Sequence, residues 1–394
     1  MKNRKKRIAI VIYANPDYYP PVIGAISILS EDADLIVICR NQDNPEQSYP
    51  ENVKLLRLGK LKTAREKEAQ NVMIKVCEYA NFILSTVFFV RFHSCRTIYA
   101  FDMHGFASGM IASRCGRKRA VIYHNLDLGD RYLLKGMSYL VKRLELFWAR
   151  FADKIIFPDR HRAEIFKDSA RLKNMPDIVM NAPLTVTCLP RENNLLPLLD
   201  ASGISRNARV LLIQGCISDL YYVSQVVRAL VFLPQDAILV LLGWSNSDFI
   251  SDLYRLAASL YARERVVYIP PVPYSRLFSY TIGSYLGIAF YRAIDSNRRY
   301  NAGASNKLFE YLSLGIPVLT NDALAFREVV GEDSAYFANP DSVEAIAGAI
   351  NSAFLDSEGY SRRKEKARQM HLNKLNFERQ FAAIREYIIG NYSK

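Results

Sequence analysis

Apolar positions in this chain gather into short β-branched and aromatic runs separated by longer mixed stretches. The first run, Ile8 to Tyr13, is followed by a turn containing Asn15, Pro16 and Asp17, then by Pro20-Pro21 and a helix expected over roughly Val22 to Ser30. LIVICR, TIYAFD (Thr97 to Asp102), AVIYHN (Ala120 to Asn125) and KIIFPD (Lys154 to Asp159) continue the pattern, with helical or polar stretches between them. Short Val/Ile/Tyr strands alternating with longer helices predict a parallel sheet covered on both faces.

Residues 190–208, PRENNLLPLLDASGISRNA, mix Pro, Asn, Gly and Ser as an interdomain connector does. The alternation then restarts with RVLLIQG, AILVLLGW, VVYIPPV, LGIAFY and PVLT, each separated by a helical stretch. The expected organisation is therefore a first domain over 1–189, a linker over 190–208, a second α/β domain over 209–365 and a helical end over 366–394. Two doubly wound domains joined by one linker predict a ligand cleft at the carboxyl ends of their strands.

The 394 residues exceed one ordinary core and suffice for two. The net charge of +13 implies an anionic partner. Basic residues cluster in MKNRKKR at the start and in RCGRKR, Arg114 to Arg119. Neither cluster belongs to an aromatic–basic module, so nucleic acid is not expected as a partner. The six cysteines are scattered singly with no CxxC or Cys/His spacing, which excludes an ordinary zinc motif and fits a reducing compartment. IAIVIYA, seven residues before Asn15, is too short to span a bilayer. A cytoplasmic protein resting peripherally on the inner face of the membrane is expected. The stretch GMSYLVKRLELFWARFADK (Gly136 to Lys154) has the composition of a basic amphipathic helix, suited to an anionic bilayer or to ordinary packing on a sheet.

Candidate chemistry concentrates in NAGASNKLFEYLSLGIPVLT, Asn301 to Thr320. Ser305 or Asn306 can cap a helix whose end is marked by Gly315 and Pro317. Lys307 and Glu310 are three residues apart and share a helical face. They are either a solvated ion pair or two groups on one ligand. A lysine in the first turn opposes the helix dipole, which points to an anion nearby, and Glu310 can accept from vicinal hydroxyls. No GxGxxG or GxxxxGK[ST] occurs. Gly215, ending RVLLIQG before a helix, either lets a phosphate approach the backbone or simply makes a tight turn. In the first half, His104 and His124 follow strands, where ligand-facing groups belong, and Asp102 is a further candidate.

At these residues the chain resembles the retaining, family-4-like glycosyltransferases of two-Rossmann-domain (GT-B) fold. SNKLFEYLSLGIPVLTND, Ser305 to Asp322, is similar to their donor-site signature, and looser similarity runs through VLLIQG, LVLLG and VVYIPPVPYSRLFSY into the first domain. The resemblance implies transfer of a sugar from a UDP- or GDP-sugar to a hydroxyl of a saccharide or lipid-linked saccharide, with retention of configuration, in cell-surface polysaccharide or lipopolysaccharide assembly. It implies no cofactor and no obligatory metal. By the same resemblance Glu310 holds the ribose, Asn306 and Lys307 lie at the donor site near the diphosphate, and Gly215 sits beside the phosphates. Gly24 lies near the acceptor side and the final helix crosses back to the first domain; from their strand-end positions alone, His124 and His104 either orient the acceptor or donor sugar or are hydrogen-bonded structural histidines. Two departures matter. The glutamate often found eight residues before Glu310 is Ala302, and the basic pair that often follows the glycine matching Gly215 is absent, leaving Arg298 and Arg299 as substitutes. These departures keep two rivals in view: a nucleotide-sugar epimerase or hydrolase of the same fold, and a catalytically inactive partner in an assembly complex.

Overall fold

The computed structural model describes residues 6–42, 47–63, 66, 70–130 and 132–390; most of the MKNRKKR run lies outside them. The chain divides into two units: Met1–Asn181 with Asp295–Ala304 and Phe377–Lys394, and Ala182–Ile294 with Ser305–Asn376.

In the first unit, β1 (Lys6–Ile12), β2 (Ala33–Gln42), β3 (Val53–Lys62), β4 (Thr97–Phe101), β5 (Ala120–His124), β6 (Lys154–Phe157) and β7 (Asp177–Ile178) form one sheet of order 3-2-1-4-5-6-7. Every pairing is parallel, with Ile8 opposite Leu35 on one side and Thr97 on the other. β1 is an interior strand between β2 and β4, and Ile8 to Ile12 are completely enclosed, as a strand covered on both faces requires. The connections include α1 (Pro20–Ser30), α2 (Val72–Phe92), α3 (Asp102–Arg114), α4 (Gly136–Trp148) and α5 (Arg160–Ala170). α3 packs between α2 and α4.

The second unit opens with α6 (Leu195–Ala201), a helix inside the stretch expected as linker. The preceding Asn194 fastens it to this unit through Ser279, by a 2.8 Å backbone bond and a 2.7 Å side-chain bond. The order then runs β8 (Arg209–Cys216), α7 (Val223–Ala229), β9 (Ala237–Trp244), α8 (Ser247–Ser259), β10 (Val266–Ile269), α9 (Tyr274–Thr281) and β11 (Leu286–Ala289). After the short α10 (Ser296–Arg299), which belongs to the first unit, come α11 (Asn306–Ser313), β12 (Val318–Asn321), α12 (Leu324–Val330), β13 (Ala335–Ala338), α13 (Val343–Leu355) and α14 (Ser357–Asn373). The strands form a second parallel sheet of order 10-9-8-11-12-13.

Two late segments return to the first unit for identifiable reasons. The guanidinium of Arg162, fully buried at the start of α5, donates to the carbonyls of Leu126 (3.1 Å), Tyr300 (2.6 Å) and Asn297, and to the Asn301 side chain. It thereby ties the segment 295–304 to this unit. The final helix, α15 (Phe377–Gly390), lies on α1. Arg385 bridges Glu31 and Asp32 at 2.8 Å each, and the Lys6 ammonium donates to the Ile389 carbonyl. The expected return of the last helix to the first domain is thus present.

Candidate functional site

The signature helix is built as its sequence suggests. Ser305 caps α11, its hydroxyl accepting from the Leu308 N–H at 3.2 Å, and Leu308, Phe309, Tyr311 and Leu312 are buried against the second sheet. Tyr311 anchors the helix by donating to the Leu212 carbonyl of β8 and accepting the Gln214 N–H. This packing carries Lys307 and Glu310 inward, leaving them 7% and 5% exposed.

The two charges form no ion pair with each other, so a solvated surface pair does not describe them. Glu310 accepts from Gln214 Nε2 at 2.6 Å and from the Tyr274 hydroxyl, while the Gln214 side-chain oxygen Oε1 accepts from the Thr281 hydroxyl at 2.8 Å. Burial raises the Glu310 carboxyl to about 7, against the opposing pull of Gln214, Lys307 and Tyr274. The Lys307 ammonium lies 4.0 Å from the Tyr221 ring centre and 5.4 Å from that of Tyr291. It has no hydrogen-bond partner, and neither has the buried carboxamide oxygen of Asn306 beside it. Burial lowers Lys307 to about 8, with Cys216 and Glu310 pulling the other way.

Gly215 and Cys216, which follow Gln214 at the end of β8, bring the strand terminus to the same place. Gly215 has φ +94° and open space where a Cβ would stand. Its partner in the ladder is Gly243, φ +143°, where a Cβ would collide with the Gly215 carbonyl at 2.0 Å. The backbone here is therefore bare and accessible to a ligand. Gly215, Asn306, Lys307 and Glu310 are brought together, with two buried polar groups waiting for partners.

Several members of this cluster escape a linear reading. Gln214 is a polar residue closing an otherwise apolar strand, and that interruption is its signal. Tyr221, Tyr274 and Tyr291 are lost among 24 tyrosines. Arg292 supplies a cation in the second unit, held by the Asp219 carboxylate at 3.2 Å and lying over the Tyr222 ring.

Arg298 and Arg299 belong to the first unit. Arg298 is turned onto Asp295, and Arg299 is exposed. Ala302 is completely buried, and at the next position a Cβ would strike the Pro158 carbonyl at 2.1 Å. A glutamate side chain has no room at 302 in this packing. Gly24 lies on the buried face of α1, where a Cβ would come within 2.7 Å of the Phe377 ring, so close packing of α15 accounts for the glycine.

The first unit holds a cavity of about 360 Å³ whose wall includes Asp102, His104, Asp127, Asp130 and Asn297. Asp102 takes a left-handed conformation, φ +53°, and one carboxylate oxygen accepts the N–H groups of Leu126 (2.8 Å) and Asp127 (3.2 Å). Burial and neighbouring Asp127 raise its carboxyl to about 7 despite those bonds. His104 stacks on Tyr13 and is lowered to about 4 by burial and Arg40. His124 is different: it is completely enclosed, its Nδ1 paired with the Tyr99 hydroxyl at 2.7 Å, its ring stacked on Phe101 and its Nε2 without a partner. Burial lowers it to about 3, so it stays neutral.

Among the described residues no group of three or more His, Cys, Asp or Glu side chains is arranged to hold a metal ion. Residues 199–370 match the profile of the family described as Glycosyl transferases group 1. The whole chain is similar in fold to Anabaena Alr3699/HepE, solved with UDP and glucose, at TM-score 0.72 and 16% identity over 99% of this chain and 100% of that one. WaaG, a glycosyltransferase involved in lipopolysaccharide biosynthesis, superposes at TM-score 0.70 and 15% identity over 97% and 100%. A Listeria monocytogenes chain named 'putative UDP-N-acetylglucosamine 2-epimerase' gives TM-score 0.64 and 14% identity over 99% and 97%. No curated protein sequence matches the chain. These likenesses show the GT-B fold, two Rossmann-like domains with a returning C-terminal helix.

Proposed function

We propose that the protein is a retaining, family-4-like glycosyltransferase that moves a sugar from a nucleoside diphosphate sugar to a hydroxyl of a saccharide or lipid-linked saccharide in cell-surface polysaccharide assembly. The observation that carries this reading is the pair of buried, mutually unpaired charges beside the open Gly215 backbone. A nucleoside diphosphate complements it group by group. Vicinal ribose hydroxyls donate to the Glu310 carboxylate, which Gln214 and Tyr274 hold in place. The diphosphate takes the Lys307 ammonium and approaches Gly215, with Asn306 beside it. Arg292 is better placed than Arg298 or Arg299 to add a second cation on the same unit. Cations and backbone amides stabilise the charge that develops on the leaving diphosphate, the work a metal does elsewhere.

In the transfer the bond from the anomeric carbon to the distal phosphate oxygen breaks. The acceptor oxygen bonds to that carbon on the same face, and its proton passes to the departing phosphate. The first unit's cavity, with Asp102 and His104, suits an acceptor rich in hydroxyls. His124 acts by positioning the end of β5 rather than by exchanging protons, because it is sealed and neutral. The protein works in the cytoplasm, and the exposed side of α4 rests on an anionic membrane surface.

Likeness in fold to the Listeria chain supports a second reading, isomerisation or hydrolysis of the nucleotide sugar without an acceptor. The buried Ala302, at a position where related enzymes often place a sugar-contacting glutamate, supports a third, a silent binding partner. Calorimetric titration with UDP, GDP and their sugars tests the donor site. One nucleotide binds the wild type, and Glu310→Ala weakens it roughly 10- to 100-fold through loss of charge-assisted hydrogen bonds. A folded wild type that binds none of them overturns the donor-site reading, and sugar released without acceptor replaces transfer by the second reading.

A further inference from the structure

α2 is the longest apolar helix among those described: it runs for 21 residues, and an 18-residue stretch of it has a mean hydropathy of 1.5, enough to cross a membrane by length and composition. Tyr79, Phe82, Thr86 and Val90 are buried in the first unit, so one face is committed to packing. The opposite face is what sets it apart. Met73, Leu84, Phe88 and Phe92, at near-helical spacing, are each between 58% and 70% exposed. On the other side of α3, Leu140, Leu144, Phe147 and Phe151 on and just beyond α4 are 39% to 59% exposed. Apolar ridges thus run along the two helices packed on α3; exposed residues scattered singly would be unremarked, but a row of them along a helix marks an interaction site.

The charge around the carboxyl ends of these helices identifies the partner. From residue 79 to 119 the chain holds six basic residues, Arg91, Arg96, Arg114, Arg117, Lys118 and Arg119, and one acidic residue, Asp102, at the amino end of α3. The Arg114 guanidinium lies 5.6 Å from the Trp148 ring centre and 5.4 Å from that of Phe151. Arg150 lies 5.3 Å from Phe147. Arg91 reaches the Gly116 turn. Arg119 donates to the carbonyls of Cys95, Ala112, Cys115 and Arg117, shaping the turn that leaves Arg117 and Lys118 exposed.

We propose that the α2 ridge and the 114–119 turn form a docking surface for an anionic lipid bilayer, with α2 lying in the interface. Aromatic and aliphatic side chains enter the headgroup–acyl boundary while the rim of cations meets lipid phosphates. A second copy of this chain would bring the same cations face to face, which charge repulsion disfavours. Crossing the bilayer would expose the packed face of α2, so it lies flat. The inference extends the assignment of α4 to a membrane surface and is independent of the donor chemistry.

The test is co-sedimentation of the full chain with phosphatidylglycerol/phosphatidylcholine vesicles and with pure phosphatidylcholine vesicles. The wild type binds the anionic vesicles and loses affinity with salt. F88S/F92S, which alters only exposed side chains, binds at least about tenfold more weakly. R117Q/K118Q binds anionic vesicles roughly thirtyfold more weakly and leaves its small affinity for neutral ones unchanged. Circular dichroism melting checks that both variants are folded, and nucleotide titration keeps this result separate from the donor site. Equal binding by F88S/F92S and wild type overturns the inference. If L144S/F147S alone loses binding, the membrane surface of α4 stands and that of α2 falls. A wild type that ignores vesicles but forms dimers broken by F88S/F92S replaces the bilayer with a second copy.

Discussion

Lys307 and Glu310 owe their reactivity to where α11 puts them. In water a lysine and a glutamate at this spacing form a weak pair; here burial pushes both toward neutrality, to about 8 and about 7. The sign of each shift fixes a pH dependence. Glu310, raised above its ordinary value, is protonated below about 7 and then cannot accept two ribose hydroxyls. Lys307, lowered, loses its charge above about 8 and with it the attraction for diphosphate. Nucleotide affinity is therefore greatest near pH 7–8 and falls on both sides, and Lys307→Met removes the alkaline limb while retaining the acid one. Calorimetry from acid to alkaline pH checks this; a flat profile for the wild type refutes it. The same shifts act on folding. Raised Glu310 costs stability as pH rises through its unfolded and folded values, and lowered Lys307 restores it as pH rises beyond about 8. The unliganded protein's contribution from this pair is thus poorest where binding is best.

Elements are held by complementary shapes whose causes lie far apart in sequence. Gly24 is explained by Phe377, a residue of the last helix, and not by any turn. Gly24→Ala forces a Cβ against that ring and is expected to cost about 1–3 kcal/mol by overpacking. Hydrogen exchange would show faster opening of α15 specifically, with α11 unchanged. α2 illustrates the limit of pattern recognition at this scale. Its apolar residues run around the helix, so periodicity does not separate the face against α3 from the face toward solvent. The packing separates them, burying Phe82 and Val90 and leaving Leu84 and Phe88 outside.

At the scale of the molecule, the first unit includes a segment, 295–304, held by a buried cation together with hydrogen bonds from the Leu128 N–H to the Asn297 side chain, from Asn297 to Asp127 and from the Gly303 N–H to Asp159. Arg162 satisfies carbonyls at Leu126, Asn297 and Tyr300 together with Asn301. Arg162→Met leaves these acceptors unsatisfied and is expected to destabilise the first unit by roughly 3–5 kcal/mol. Urea unfolding measures the loss, and exchange protection around 295–304 falls before that of β1. Retained protection there would show that other contacts hold the segment.

The alternation of Val/Ile/Tyr strands with helices determined two parallel sheets by itself, because strands covered on both faces must be apolar throughout and helices must supply the cover. The run from Ser305 to Pro317 likewise determined its own helix, through a cap at one end and a glycine and proline at the other. What those residues face was undecided until the chain folded. Gln214 and Tyr274 reach Glu310 from other elements, Tyr221 reaches Lys307, and a sealed pocket closes around His124. Linear spacing reports which side chains share a helix face. Burial and pairing across the sheet depend on residues tens of positions away, and these set the charge and availability of each group.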